Sequence, residues 1–203
     1  MSRRLVLASN NAKKLAELRA LLVPLGVEVV AQGDLGIPEA EEPHGTFLEN
    51  ALDKARHAAL ASGLPALADD SGLSVEALGG MPGVRSARFA RDAGSGEGDA
   101  ANNAELLRRM AGVSDRRARF VCALVAVRSA HDPEPLVAQG RWDLQVLTQA
   151  EGECGFGYDP IVRPVGSERS VAAWSAAEKQ AQSHRGQAMA ALLVQLRTLW
   201  GWQ

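Results

Sequence analysis

The stretch RLVLASNNAKKLAELRALLVPLGVEVVAQ, residues 4–32, decides the fold class. It opens with a short apolar run bounded by polar residues, a pattern typical of a buried strand. From Asn11 onward leucines recur at helical spacing, until Pro24 and Gly26 end the pattern and a second apolar run begins. A strand, a turn, a helix and another strand in this order indicate an α/β fold.

The rest of the chain continues this pattern. Thr46 and Glu49 have the spacing of a capping box, which predicts a helix directly after Thr46. Two long apolar runs, 118–129 and 134–149, predict strands in mid-chain. We therefore expect an α/β fold with a mixed, bent central sheet flanked by helices. Residues 1–203 are expected to form a single domain of two lobes with a cleft between them.

Composition excludes several classes of protein. The formal net charge of −2 gives no general attraction to nucleic acid or to an anionic membrane, so neither is expected as a partner. No apolar run approaches the length of a membrane span. Cys122 and Cys154 make neither a disulfide framework nor a zinc site, and they fit a reducing compartment. A cytoplasmic location is the resulting expectation.

One apolar run ends in two adjacent acidic residues, Asp69 and Asp70, followed by Ser71 and Gly72. Adjacent carboxylates repel each other, and a buried, unpaired one is strongly unfavourable. A divalent cation such as Mg²⁺ would remove that penalty, and such an aspartate also suits a general base. The alternative is an Asp-Ser-Gly turn in which a carboxylate binds local N–H groups. In both interpretations Ser71 and Gly72 are expected to turn the chain.

The segment SNNAKK, residues 9–14, joins the first strand to the first helix. A helix N-terminus offers free N–H groups and a positive dipole end, which suit a phosphate. Ser9 and Asn11 can add side-chain hydrogen bonds, and Lys14 can add a positive charge. The alternative is that Asn10 or Asn11 only caps the helix while the lysines are solvated.

Two later segments also favour a ligand. In GFGYDP, residues 155–160, the rings of Phe156 and Tyr158 can stack on a base and Asp159 can accept an N–H from it. The alternative is that both rings belong to the core and that Asp159 forms a turn. In EKQAQSHRGQA, residues 178–188, cations gather where a helix begins, which is favourable if an anion lies between them.

A nucleoside triphosphate with Mg²⁺ would use the features of all these segments: the anion-binding helix ends and lysines, the carboxylates for a metal, and the aromatic rings for a base. The same segments resemble those of a known family, the inosine/xanthosine triphosphate pyrophosphatases. The resemblance covers essentially the whole chain, with the motifs in the family's order and spacing. The motifs that carry it are LVLASNNAKKLAEL, TFLENALDKA, ALADDSGL, GGMPGVRSARFA, GFGYDP and EKQAQSHRGQA.

The resemblance implies a homodimer with a nucleotide cleft between two lobes, and Mg²⁺-dependent hydrolysis of ITP, dITP and XTP to the monophosphate and pyrophosphate. It implies that Asp70 is the proton acceptor and a metal ligand, with Glu41 as a second metal ligand. The residues that match its substrate-binding motifs are Ser9, Asn10, Asn11, Lys14, Lys54, Ser71, Phe156, Gly157, Tyr158, Asp159, Lys179, His184 and Arg185.

The sequence leaves two alternative functions open. The Maf-like pyrophosphatases act on pyrimidine triphosphates, but the segments SHRG and GFGYDP argue against that group. A nucleotide sensor without turnover is the alternative from another class. The presence of Asp70, Lys14 and Lys179 together argues against it.

Overall fold

A computed structural model describes residues 3–202. Its sheet has six strands in the order β2-β1-β3-β4-β5-β6. The strands are β1 Arg4–Leu7, β2 Glu28–Ala31, β3 Ala66–Val75, β4 Arg117–Val127, β5 Leu136–Val146 and β6 Val162–Pro164. Strand β1 pairs in parallel with β2 and β3, whereas β5 and β6 are antiparallel. The predicted mixed sheet is therefore confirmed.

The helices are α1 Ala12–Leu22, α2 Phe47–Ser62, α3 Phe89–Asp92, α4 Gly98–Arg109, α5 Ala176–Gln182 and α6 His184–Leu199. The first two begin where the sequence signals predict. Asn11 caps α1 by accepting hydrogen bonds from two backbone N–H groups, and Thr46 caps α2 by accepting one from Glu49. In the described part of the chain, none of the helices combines the length and the apolar character needed to cross a membrane.

The chain forms two compact units, and strands β3, β4 and β5 contribute residues to both. The first unit contains residues 3–70, 122–140 and 185–202, and the second contains Ser71–Val121 and Arg141–His184. The first unit has two apolar clusters, one built on the leucines of α1 and α6 and one on the alanines of α2. The second unit has a cluster of its own that includes the rings of Phe89, Trp142 and Tyr158. The single two-lobed domain stays a prediction.

The turn predicted at Ser71 and Gly72 is wrong, because strand β3 continues through both residues to Val75. Gly72 instead allows Gly83 and Ser86 to lie close to the strand. A Cβ there would lie 2.5 Å from the carbonyl oxygen of Gly83 and closer still to Oγ of Ser86. That hydroxyl accepts a hydrogen bond from the N–H of Leu73 at 2.9 Å and donates one to the Gly83 carbonyl at 2.6 Å. Glycine therefore lets a neighbouring segment pack directly against the strand.

Residues 78–98, after β3, are rich in glycine and arginine, a composition that predicts a long surface loop. The segment is partly helical instead. A 3₁₀ helix over Gly83–Arg88 leads directly into α3. Ser86 and Phe89 are buried there, so the segment contributes to the core of the second unit.

Candidate active site

The first unit carries a cluster around Asp70, which we call the Asp70 group: Asp70, Lys54, Asn50 and Glu42. Nζ of Lys54 lies 2.9 Å from Oδ1 of Asp70 and 2.5 Å from Oε1 of Glu42. Nδ2 of Asn50 donates to Oδ2 of Asp70 at 3.3 Å. Asn50 and Lys54 are four residues apart on α2, so both side chains lie on one helix face that meets β3. The predicted partners Asp70 and Lys54 therefore come together.

Asn50 also fixes the segment that carries Glu42. Its Oδ1 accepts a hydrogen bond from the N–H of His44 at 3.0 Å, and its Nδ2 donates to the carbonyl of the same residue at 3.3 Å. The His44 ring binds Asp53 of α2 at 2.5 Å. Sequence reasoning missed Asn50. The available signal was a polar residue one turn before Lys54, on the same face of α2.

The pKa of Asp70 is raised above its ordinary value. Burial is the largest cause, and it is partly offset by the ammonium of Lys54, while the nearby carboxylate of Glu42 adds to the rise. Burial would lower the pKa of Lys54, but Asp70 and Glu42 outweigh it and the pKa rises. Two carboxylates share one ammonium, so this part of the group favours binding a further positive charge.

Asp69 belongs to a second cluster, the Asp69 group: Asp69, Lys14, Arg185, Glu17 and Cys122. Its Oδ1 lies 2.7 Å from Nζ of Lys14, and its Oδ2 lies 2.9 Å from Nε of Arg185. The same Oδ2 accepts the thiol of Cys122 at 3.2 Å. Nη1 of Arg185 binds Oε2 of Glu17 at 2.5 Å. The group therefore joins β3 and β4 to α1 and α6.

Electrostatics in the Asp69 group are opposite to those of the Asp70 group. Burial alone would raise the pKa of Asp69, but Arg185 and Lys14 hold it well below its usual range. Burial would lower the pKa of Arg185, and Asp69 is the largest of the charges that raise it instead. Burial, reinforced by the Asp69 charge, raises the pKa of the Cys122 thiol well above its ordinary value. Asp69 thus stays ionised as an ion-pair partner, which separates its role from that of Asp70.

The segment before α1 has the geometry of a capped helix N-terminus. Oδ1 of Asn11 accepts from the N–H groups of Lys13 and Lys14 at 3.0 and 3.1 Å, and the N–H of Asn11 donates to Oγ of Ser9 at 3.2 Å. The capping interpretation is therefore correct for Asn11, but Lys14 is bound to Asp69 rather than solvated. Asn10 is exposed beside this turn.

The carboxylates around Asp70 suit a Mg²⁺ ion only in combination with a substrate. Within residues 3–202, no three histidine, cysteine or acidic side chains gather as a metal-binding group. Asp70 and Glu42 nevertheless both contact the ammonium of Lys54, so their oxygens lie within reach of one cation. Mg²⁺ at phosphate sites typically takes one or two carboxylates and fills its other positions with substrate oxygens and water. This pair fits that requirement.

Glu41, the second metal ligand implied by the resemblance, is exposed. Its role in metal binding stays a prediction. The acidic side chain that the structure brings to Lys54 and Asp70 is its neighbour Glu42.

In the second unit, Asp159 organises the GFGYDP segment. Its Oδ2 accepts from the N–H of Phe156 at 2.9 Å and from Nζ of Lys179 at 2.6 Å. The same ammonium lies 4.3 Å from the centroid of the Phe156 ring. Gly155 has a φ of +79°, and a Cβ there would lie 3.0 Å from Cγ of Asp159 and closer to its Oδ2. The structure thus brings Phe156, Asp159 and Lys179 together, with the Asp159 carboxylate engaged by this segment and by α5.

Both peptide groups of Gly157 are held by α4. Its N–H donates to Oδ2 of Asp99 at 2.8 Å, and its carbonyl accepts from Nδ2 of Asn103 at 3.0 Å. Asp99 and Asn103 are four residues apart, and so they lie on one face of the helix. Sequence reasoning missed both, because nothing in the sequence links positions more than 50 residues apart.

Three further predicted site residues lie in the second unit. Tyr158 is buried in the core, its hydroxyl donates to the carbonyl of Ser86 at 2.8 Å, and burial raises its pKa. This arrangement supports the core interpretation of that ring. His184, at the start of α6, stacks on Phe120 with ring centroids 4.8 Å apart. Ser71 is partly buried within β3.

Comparisons with known proteins place the chain in a family. Residues 5–195 match the model of the Ham1 family. A dITP/XTP pyrophosphatase of Ralstonia nicotianae is 58% identical over 195 residues, which cover 96% of this chain and 97% of that protein. A dITP/XTP pyrophosphatase of Leptothrix cholodnii is 57% identical over 208 residues, covering 97% and 98% of the two chains.

Solved structures show the same likeness. A HAM1 protein from Coxiella burnetii superposes with a TM-score of 0.88 at 43% identity, covering 96% of this chain and 98% of that chain. A nucleoside-triphosphatase / dITP/XTP pyrophosphatase from Mycobacterium abscessus superposes with a TM-score of 0.73 at 45% identity, covering 94% and 98%.

Proposed function

This chain belongs to the Ham1 family, and on that premise we propose that it hydrolyses the non-standard purine nucleoside triphosphates dITP, XTP and ITP with the help of Mg²⁺. The products are the nucleoside monophosphate and pyrophosphate, and the reaction removes these nucleotides from the cellular pool. The observation that carries the proposal is Asp70, a buried carboxylate of raised pKa held by Lys54 and Asn50.

Asp70 is assigned as the general base. A water oxygen forms a bond to the α-phosphorus, the bond from that phosphorus to the α–β bridging oxygen breaks, and pyrophosphate leaves. The proton of the water passes to the Asp70 carboxylate. A base works best when its pKa approaches the working pH, and burial moves the pKa of Asp70 in that direction. The hydrogen bonds from Lys54 and Asn50 fix the orientation of the two carboxylate oxygens.

Asp70 and Glu42 are assigned as the protein ligands of Mg²⁺. The resemblance implies Glu41 for the second position, but Glu42 is the residue whose carboxylate contacts Lys54 beside Asp70. The ion would neutralise part of the triphosphate charge where the water attacks. Lys54 lies within reach of both carboxylates and would supply a further cation for the phosphates.

The N-terminus of α1 and Lys14 are assigned to the triphosphate as well. The Asn11 cap fixes the first turn of α1 and sets its positive dipole end at the SNNAKK segment. Lys14 comes from that same turn, and its ammonium is held by Asp69. Ser9 and Asn10 lie in the same segment and are assigned to the same task.

Phe156, Gly157 and Lys179 are assigned to the purine. The Phe156 ring offers a stacking surface, and the bonds from α4 to Gly157 keep its loop in place. A 6-oxo purine presents O6 as an acceptor and N1–H as a donor, whereas adenine reverses both. Donors placed for O6, with His184 as one candidate, would be left unpaired by ATP, at a cost of about 1–3 kcal/mol for a buried group.

A panel of nucleoside triphosphates tests the proposal. Purified protein is given dITP, XTP, ITP, ATP, GTP, UTP or TTP with and without Mg²⁺, and pyrophosphate and orthophosphate are measured separately. We expect Mg²⁺-dependent release of pyrophosphate from the first three, far faster than from ATP. Asp132→Asn is a matched control, because Asp132 is a buried aspartate of the same unit outside both groups. Release of orthophosphate, or a preference for UTP or TTP, would contradict the proposal.

The homodimer and the cytoplasmic location stay predictions of the resemblance and of the composition. Light scattering coupled to gel filtration measures the mass directly. A mass of twice 21.5 kDa would support the dimer.

A further inference from the structure

The role of Asp69 follows from the two cations on its carboxylate. We propose that Asp69 is a positioning residue, which holds the ammonium of Lys14 where it meets the triphosphate and is itself held by Arg185. The inference rests on the proposed function, because it takes Lys14 to be a phosphate-binding residue.

Lys14 and Arg185, the two cations on Asp69, differ in their exposure to solvent. Each carboxylate oxygen of Asp69 has one of them, with Nζ of Lys14 at 2.7 Å from Oδ1 and Nε of Arg185 at 2.9 Å from Oδ2. The side chain of Lys14 is 17% exposed, whereas that of Arg185 is 2% exposed and that of Asp69 is 0% exposed. Lys14 is therefore the cation that a dissolved anion can reach, and the Arg185 guanidinium is the buried support.

The contacts form a closed path through three elements. Asp69 of β3 binds Arg185 of α6, Arg185 binds Glu17 of α1 at 2.5 Å, and Lys14 of α1 returns to Asp69. Glu17 and Lys14 are three residues apart on α1, so they share a helix face. A lysine has many rotamers, and an ammonium already held in place loses less freedom when it binds a phosphate.

An electrostatic role and a positioning role of Asp69 predict opposite changes in anion affinity for Asp69→Asn. The substitution removes a negative charge beside Lys14 and Arg185, so Coulomb attraction alone predicts tighter binding of an anion. Loss of the carboxylate also releases the Lys14 ammonium, so a positioning role predicts weaker binding. The sign of the change in affinity therefore separates the two.

The experiment is calorimetric titration of inorganic pyrophosphate, without added metal, into four proteins: wild type, Asp69→Asn, Lys14→Met and the double variant. We expect Asp69→Asn to bind pyrophosphate about ten-fold more weakly than wild type, and to have little further effect in the Lys14→Met background. The control Asp132→Asn should bind as wild type does. Unchanged or tighter binding by Asp69→Asn, or an equal loss in both backgrounds, would overturn the proposal.

Asp69→Glu decides the question if Asp69→Asn does not fold. It keeps the negative charge but moves the carboxylate by one methylene group. A positioning role therefore predicts weaker pyrophosphate binding, whereas a purely electrostatic role predicts an unchanged affinity. The proposed function is tested separately by pyrophosphate release from dITP and XTP by the wild-type protein. If the wild-type protein releases pyrophosphate from dITP and XTP but the Asp69 variants bind pyrophosphate as wild type does, the positioning role is refuted and the proposed function stands.

Discussion

Asp69 and Asp70 are consecutive residues of the uninterrupted strand β3, and their carboxylates bind different lysines, Lys14 of α1 and Lys54 of α2. Side chains of neighbouring strand residues point to opposite faces of a sheet, so the pair is divided by the strand itself. The division also separates their chemistry: burial leaves Asp70 with a raised pKa, whereas two cations hold that of Asp69 low. Each carboxylate can therefore be tested on its own.

Asp70→Asn should abolish most of the turnover while the protein stays folded. An amide of the same shape keeps a partner for Lys54 but accepts no proton from water, and loss of a general base costs about 10²- to 10⁴-fold in rate. Pyrophosphate release from XTP measures the effect, with thermal unfolding as the check on folding. Activity within a few-fold of wild type would show that Asp70 is not the base.

The pH dependence of kcat/KM should follow the raised pKa of Asp70. The base must be ionised, so activity falls as the pH drops through that pKa, which lies above the ordinary value for aspartate. Lys54 stabilises the ionised form, whereas burial and Glu42 oppose it. Lys54→Met should therefore move the acidic limb of the profile to higher pH, as well as weakening substrate binding. A limb that moves to lower pH would contradict this electrostatic assignment.

The stability of the fold should depend on pH through the lowered pKa of Asp69. Its pKa is lowered in the folded protein, so its ion pairs contribute stability above the pKa of an unfolded aspartate, about 3.9, and lose it as the pH falls toward the folded value. Urea unfolding of wild type and Asp69→Asn from pH 3 to pH 7 measures this contribution. The difference in the free energy of unfolding should be largest at pH 7 and shrink toward pH 3. A difference that does not change with pH would show that the ion pairs do not stabilise the fold.

Local signals in the sequence were sufficient for the elements but not for the partners of the site residues. The Thr46 cap and the leucine spacing of α1 are short-range patterns, and both predicted helices are present. The turn at Gly72 was predicted wrongly because the reason for that glycine, the packing of Ser86, lies 14 residues away. Arg185 reaches Asp69 across more than a hundred residues, and no spacing rule indicates such a contact. The assignment of Arg185 to the substrate stays a prediction, whereas its ion pair with Asp69 is a contact that only the structure reveals.

Asn50→Ala should lower kcat more than it raises KM. The variant removes the hydrogen bond to Asp70 and both bonds to the backbone of His44, so the base loses its orientation and the segment with Glu42 loses its anchor. The free energy of unfolding should also fall by about 1–3 kcal/mol, since the partly buried N–H and carbonyl of His44 and the buried Asp70 carboxylate each lose a partner.

Asn102→Ala is the matched control for that variant. Asn102 is likewise buried and binds the backbone of Ala90 and Ala87, but it lies outside both acidic groups. A similar loss of stability is expected with kcat unchanged. If the two variants lower kcat equally, the effect of Asn50 comes from general loosening of the fold.

Gly155→Ala should raise the KM for XTP through the Phe156 loop. Gly155 has a φ of +79°, and a methyl group there would be driven against the carboxylate of Asp159, which binds both the Phe156 N–H and Lys179. Gly166→Ala separates this clash from backbone strain, because Gly166 has a similar φ of +84° with nothing within 4 Å of a Cβ. Both variants carry a strain of about 1–2 kcal/mol, and only Gly155→Ala displaces the Asp159 carboxylate. Steady-state kinetics on XTP should therefore show a raised KM for Gly155→Ala alone, and equal KM values for the two variants would mean that the Asp159 contacts do not position the loop.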